Sequence, residues 1–199
     1  ALKYFTEFWC SDNTDPVERV YIQWGFSQFF PAKAMCAHVT SWNKETSVKF
    51  RTDVASMCKL GFDIGLKDLT AEELDYCQQA VANWKRLQPA IMDGDQYRLV
   101  SPYETNHMAL NYVTKDKNKA VLFAYDVHPR FQEKLMRVKL QGLDAQKNYK
   151  VEEINLMPGT ESTFKANGKV FSGDYLMKVG LDVFGFAQTQ SHVIEVTAQ

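Results

Sequence analysis

The sequence predicts an α+β chain built in more than one part: a mostly helical stretch over residues 1–90, then an antiparallel β-sandwich over residues 91–199. Three observations carry this. Thr70-Ala71-Glu72-Glu73 has the pattern of a capping box, and Leu74, Cys77, Val81, Trp84 and Leu87 follow at three- and four-residue steps. Between Pro89 and Asp95 the period changes. Beyond it Val121, Phe123, Tyr125 and Val127, and again Met136, Val138 and Leu140, recur at every second residue, the mark of strands.

The elements follow in order. Phe5 to Trp9, with three aromatic residues in five, reads as a buried strand, and Ser11-Asp12-Asn13-Thr14-Asp15 is the loop after it. Asp15 suits an N-cap, Pro16 the first helical position, and Glu18 the capping-box place. Val17, Val20, Tyr21, Trp24 and Gln28 continue that helix until Pro31 closes it. A second helix is expected from about Thr46 to Leu60, with Val48, Val54, Ala55 and Cys58 inward and Gly61 as its stop. The capping box opens the third. Strands are then expected near 96–101, 107–113, 119–127, 134–140, 148–155, 174–184 and 192–197, separated by turn pairs such as Gln141-Gly142, Asn167-Gly168 and Ser172-Gly173. Short strands at this spacing suggest a sandwich.

Composition narrows the functions. A net charge of −1 offers no basic field for nucleic acid or anionic lipid. No apolar run approaches the roughly 20 residues of a membrane helix. Cys10, Cys36, Cys58 and Cys77 form no C-x-x-C pair and have no His at ligand spacing, so neither a metal nor another cofactor is expected. Reduced, buried thiols are favoured over disulfides or catalysis. Cytoplasmic and periplasmic or secreted placement both stay open.

The chemistry concentrates after the first strand. A carboxylate at a strand's C-terminal end, followed by a helix start, occupies the place of catalytic groups in a β/α barrel. Asp12 fits that place, although an Asp in a Ser-Asp-Asn-Thr stretch also commonly just closes a turn. Asp15 and Arg19, four apart with the acid first, read as an ion pair. An arginine so near a helix N-terminus opposes the macrodipole and needs a local partner, so Arg19 is expected to fix the loop and thereby orient Asp12. Trp9 either offers an aromatic face to a ligand or belongs to the core. His38 is expected to be a hydrogen-bonded structural histidine, and His107, His128 and His192 carry no signal.

Phe8-Trp9-Cys10-Ser11-Asp12-Asn13-Thr14-Asp15 with Arg19 resembles the acid/base motif of the family 36 α-galactosidases. The likeness continues through Ile22-Gln23-Trp24-Gly25-Phe26-Ser27, Pro31, Met35-Cys36-Ala37-His38-Val39-Thr40 and Gly61-Phe62-Asp63-Ile64-Gly65. The resemblance implies that the first part is the C-terminal remnant, one strand and helix, of a catalytic (β/α)8 barrel, with the sandwich after it. It implies a retaining hydrolase of terminal α-galactosyl residues on oligosaccharides, with Asp12 as acid/base, Trp9 beside the sugar, and Asp15 and Arg19 in support. The family's nucleophile lies in a Lys-Trp-Asp strand, which these residues do not contain. Together with Ala1 in place of Met, this suggests an inactive piece of a longer, oligomer-forming enzyme. A related galactosyl transferase remains a second reading. A third is a carbohydrate-binding or structural module using Tyr97, Tyr103, Tyr112, Phe131 and Phe171.

Overall fold

A computed structural model describes residues 3–42 and 45–199, so Ala1 lies outside the described residues. The first part alternates strand and helix: β1 Phe8–Trp9, α1 Pro16–Phe26, β2 Met35–Thr40, α2 Val48–Ser56, β3 Lys59–Asp63 and α3 Ala71–Asp93. The strands pair in parallel in the order β1-β2-β3, with Phe8 opposite Met35, Trp9 opposite Cys36 and His38 opposite Gly61. Parallel neighbours need a crossover, and α1 and α2 supply it. One face of this sheet carries Phe8, Met35, Ala37 and Val39, which join Val20, Trp24, Phe50 and Val54 in a core. On the opposite face Trp9, Cys36 and Gly61 are half-buried and His38 is exposed.

The expectation of a single strand is thereby corrected: three form. Gly61 is not a helix stop. α2 ends at Ser56, and Gly61 lies within β3, where a Cβ would come 2.7 Å from Cδ2 of His38. α3 opens on the expected capping box, the Thr70 hydroxyl accepting from the Glu73 N–H at 3.2 Å and the Glu73 carboxylate from the Thr70 N–H at 2.9 Å. It continues through Pro89 to Asp93, beyond the change of period.

The second part is one antiparallel sheet in the order β4-β5-β6-β9-β7-β8. The strands are β4 Asp95–Val100, β5 His107–Val113, β6 Lys119–Asp126, β7 Asn148–Ile154, β8 Val170–Ser172 and β9 Gln190–Ala198. Successive side chains leave opposite faces. Leu110, Tyr112, Val121, Phe123 and Tyr125 meet Phe50 and Leu87 of the helical part. Ala109, Leu122, Ala124, Ile194 and Val196 meet Val138, Leu140, Phe164, Leu176 and Leu181. The strands expected near 134–140 and 174–184 are not formed. Val138 and Leu181 make an isolated bridge, and Ser172 caps the short helix α4, Gly173–Lys178, its hydroxyl accepting from the Tyr175 N–H. The alternation at Val138 and Leu140 is that of a covering segment pressed on a sheet, not of a strand with ladder partners on both sides.

The joint between the parts is polar and buried. The last carbonyls of a helix have no intrahelical donor, and α2 ends inside the molecule. Side chains from four elements meet its C-terminal turns. Tyr125 of β6 donates to Asp53 O at 2.7 Å, and Gln23 of α1 to Val54 O at 2.8 Å. Tyr112 of β5 donates to Met57 O at 2.8 Å, and Trp84 of α3 to Cys58 O at 3.0 Å. The fully buried Asp53 carboxylate accepts from Lys49 at 2.5 Å, Ser191 at 2.7 Å, Asn155 at 2.9 Å and Tyr76 at 3.0 Å. Burial, before the nearby Asp53 charge, pushes the Tyr76 and Tyr125 hydroxyls well above the ordinary tyrosine range, so both stay donors.

The aromatic residues weighed as a binding face are not all exposed. Tyr112 is in the core, Tyr103 donates to Tyr21 O at 3.2 Å on α1, and Phe171 stacks on Tyr175 with centroids 5.1 Å apart. Phe131 is exposed.

Candidate active site

The loop from Ser11 to Asp15 is held by side chains at every second residue. Ser11 Oγ accepts from the Asn13 N–H at 3.1 Å, Asn13 Oδ1 from the Asp15 N–H at 2.9 Å, and Asp15 Oδ1 from Val17 and Glu18 at 2.9 and 3.0 Å. Ser, Asn and Asp are suited to such local bonds. Asn13 thus satisfies the N–H that a capping box would have assigned to Glu18. Asp15 is the N-cap of α1, as its position suggests.

Arg19 does not pair with Asp15. It is buried, and its Nη1 donates to the carbonyls on either side of Asp12, Ser11 O at 3.0 Å and Asn13 O at 3.4 Å. Nε donates to Gln23 Oε1 at 3.4 Å. The expected ion pair fails because Asp15 already accepts the two orphan N–H groups of the helix. Burial lowers the Arg19 pKa from its usual value, with the neighbouring Cys10 opposing the change.

Asp12 is left projecting. Its carboxyl is exposed and has no hydrogen-bond partner among the described residues, while both flanking carbonyls are clamped. Trp9 lies beneath the loop with the Arg19 Cζ 4.2 Å from its ring centroid and the His38 ring stacked at 4.5 Å, 17° from parallel. His38 is therefore a stacking partner, not the hydrogen-bonded histidine expected. The cleft lined by Thr14, Arg19, His38, Thr40 and Arg51 has a volume of about 10 Å³, too small for a sugar ring.

The four cysteines are unpaired, and Cys10, Cys58 and Cys77 are buried. Two histidines passed over in the sequence have partners. His107, buried, bonds Asp126 at 2.7 Å and Glu133 at 3.1 Å, and His192 bonds Glu153 at 2.6 Å. No local pattern announces these pairs, since each joins segments about 20 or more residues apart.

Comparison with known proteins agrees with this architecture. Residues 1–94 match the family model described as melibiase, and residues 107–196 that of the glycosyl hydrolase family 36 C-terminal domain. The whole chain is 30% identical to the probable alpha-galactosidase G of Aspergillus terreus, covering 26% of it. It superposes on the GH36 alpha-galactosidase AgaB of Geobacillus stearothermophilus with a TM-score of 0.86 at 30% identity, again over all of this chain and 26% of that one. It also superposes on a variant of AgaA from the same organism in complex with stachyose, with a TM-score of 0.85 at 29% identity and the same coverage. The chain thus spans about a quarter of the length of the relatives it matches. With both halves matched by models of one enzyme family and the whole superposing on its solved members, the chain belongs to glycoside hydrolase family 36.

Proposed function

We propose that these residues act within a retaining α-galactosidase that hydrolyses terminal α-galactosyl residues of oligosaccharides, and that Asp12 is its acid/base. The observation that supports this most is the contrast at Asp12 itself: a clamped backbone and a free, exposed carboxyl at the end of a parallel strand. The three parallel strands and their helices are read as part of a β/α barrel, whose catalytic groups lie at this end of the strands. The stachyose held by a relative suits such a substrate class.

In the first step Asp12 gives its proton to the glycosidic oxygen as the C–O bond breaks and a second carboxylate bonds the galactosyl carbon. In the next step Asp12 takes a proton from water, which displaces that carboxylate. The two groups of such a pair stand about 5–5.5 Å apart. Asp15 is unsuited to the second role because it caps α1, and the nucleophile is assigned to residues outside this chain. Trp9 is read as contributing to the sugar site by its edge, with Asp15 and Arg19 supporting the loop. The boundary between catalytic and C-terminal parts is placed near residue 90.

Replacing Asp12 with Asn in the complete enzyme tests the assignment. Raffinose turnover should be lost while calorimetry still detects galactose binding. Retained turnover would remove Asp12 from the chemistry.

A further inference from the structure

We propose that His38 is a positioning residue for Asp12, acting through Trp9 and Arg19; this rests on the reading of Asp12 as acid/base. Among the described residues Asp12 has no hydrogen bond or ion pair of its own to define where its carboxyl points. Its position is inherited from the carbonyls of Ser11 and Asn13, and Arg19 holds both. An arginine side chain is long and rotatable, so its head must itself be fixed. Gln23 holds it only at 3.4 Å, and one guanidinium nitrogen, Nη2, is buried with no hydrogen-bond partner among the described residues. The Cys10 side chain lies beside the guanidinium, and the Trp9 ring packs against Cζ.

Trp9 in turn is at the end of a strand of two residues. Its ring is braced from β2 by His38, stacked 17° from parallel. His38 is braced from β3, because its ring occupies the space where any side chain at position 61 would begin. Gly61 is therefore glycine for room. A Cβ there would press on His38, and the ring could yield only by changing its stack on Trp9. Position 61, His38, Trp9 and Arg19 form one row across β3, β2, β1 and α1, ending on the two peptide groups that flank Asp12. The row passes along the polar face of the sheet, and the core face takes no part in it.

This matters because proton donation depends on placement, and a misplacement of about 1 Å can cost about 100-fold. A displaced acid should harm substrates that need protonation and spare those that do not. The test uses the complete enzyme, comparing kcat/KM on raffinose, whose leaving group requires a proton, with kcat/KM on α-galactosyl fluoride, whose leaving group needs little help. His38→Ala should lower the raffinose value by about 30-fold or more, within the range of acid catalysis, and the fluoride value by no more than about threefold. His38→Phe, which keeps a ring against Trp9, should restore most of the raffinose rate. Gly61→Ala should repeat the His38→Ala pattern more weakly.

Asp12→Ala separates the two claims. If Asp12→Ala discriminates between the substrates and His38→Ala slows both equally, the positioning role is wrong while the acid/base reading stands. If Asp12→Ala shows no discrimination, the reading beneath it fails. Should His38→Ala not fold, His38→Phe and Gly61→Ala decide, and equal losses on both substrates in either would overturn the inference.

Discussion

The two sheets of this chain are treated in opposite ways. In the antiparallel sheet every residue of β5 is buried and both faces are covered, one by the helices and one by segments around Val138, Leu140 and Leu176. In the parallel sheet only the face with Met35, Ala37 and Val39 is covered. The opposite face carries Trp9, Cys36 and His38 and is open. Parallel sheets normally have both faces covered, and this chain spans only about a quarter of the length of its relatives. The difference contrasts two surfaces within one chain: the second part is covered on both faces, and the first leaves one sheet face and the Asp12 loop exposed.

That contrast can be broken by experiment, most sharply at Asp12. Asp12→Asn in the complete enzyme should reduce kcat/KM on raffinose by about 100- to 10,000-fold, with an unchanged melting temperature because the exposed carboxyl has no hydrogen bond or ion pair among the described residues. A parallel fall in melting temperature would show that the loop is structural. Arg19→Ala should come next, lowering turnover by about 10- to 100-fold through the loop. Its effect on melting should be far smaller; equal loss of both would reduce Arg19 to a support.

At the joint the pattern reverses. Asp53→Ala should destabilise by about 3 kcal/mol or more, since it removes the carboxylate that accepts from Asn155 and Ser191 and leaves Lys49 and Tyr76 with backbone carbonyls in its place. Tyr125→Phe should cost about 1–2 kcal/mol by orphaning the Asp53 carbonyl. Denaturant unfolding measures both. If either variant lost turnover while keeping its stability, the two regions would not be separate in role.

The smallest effect concerns pH. Burial works against a charged His107, but Asp126 and then Glu133 outweigh it, and the net result is a raised pKa. A group raised on folding contributes stability that is fully present below its unfolded value, about 6.5, and is lost as pH rises through the folded value. Unfolding followed from pH 6 to pH 9 should therefore show a modest decline that His107→Gln flattens. An identical slope in the variant would remove His107 as its source.

What could be read from the sequence was local. The capping box at Thr70 and Glu73, the N-cap at Asp15 and the strands flanking Lys117-Asn118 all depend on neighbours a few residues away. β2 and β3 escaped because each is short, and Gly61 within β3 mimics a helix stop until His38 is seen to need its space. The strand expected at 134–140 failed because apolar alternation reports a buried side and says nothing of ladder partners. At the site, the residue types around Asp12 and an Arg19 directed at the loop were legible, but the partners Arg19 uses there were not. Spacing offers Asp15 as its partner, whereas folding gives Asp15 to the helix N–H groups and sends Arg19 to backbone carbonyls that no side-chain pattern reveals.

The assignment of Asp12 is tested most directly by nucleophile rescue. Asp12→Ala in the complete enzyme, given an activated aryl α-galactoside and sodium azide, should regain turnover and accumulate α-galactosyl azide, because azide needs no general base to displace the enzyme-bound sugar. No azide product, with free galactose released at the same rate with and without azide, would contradict it.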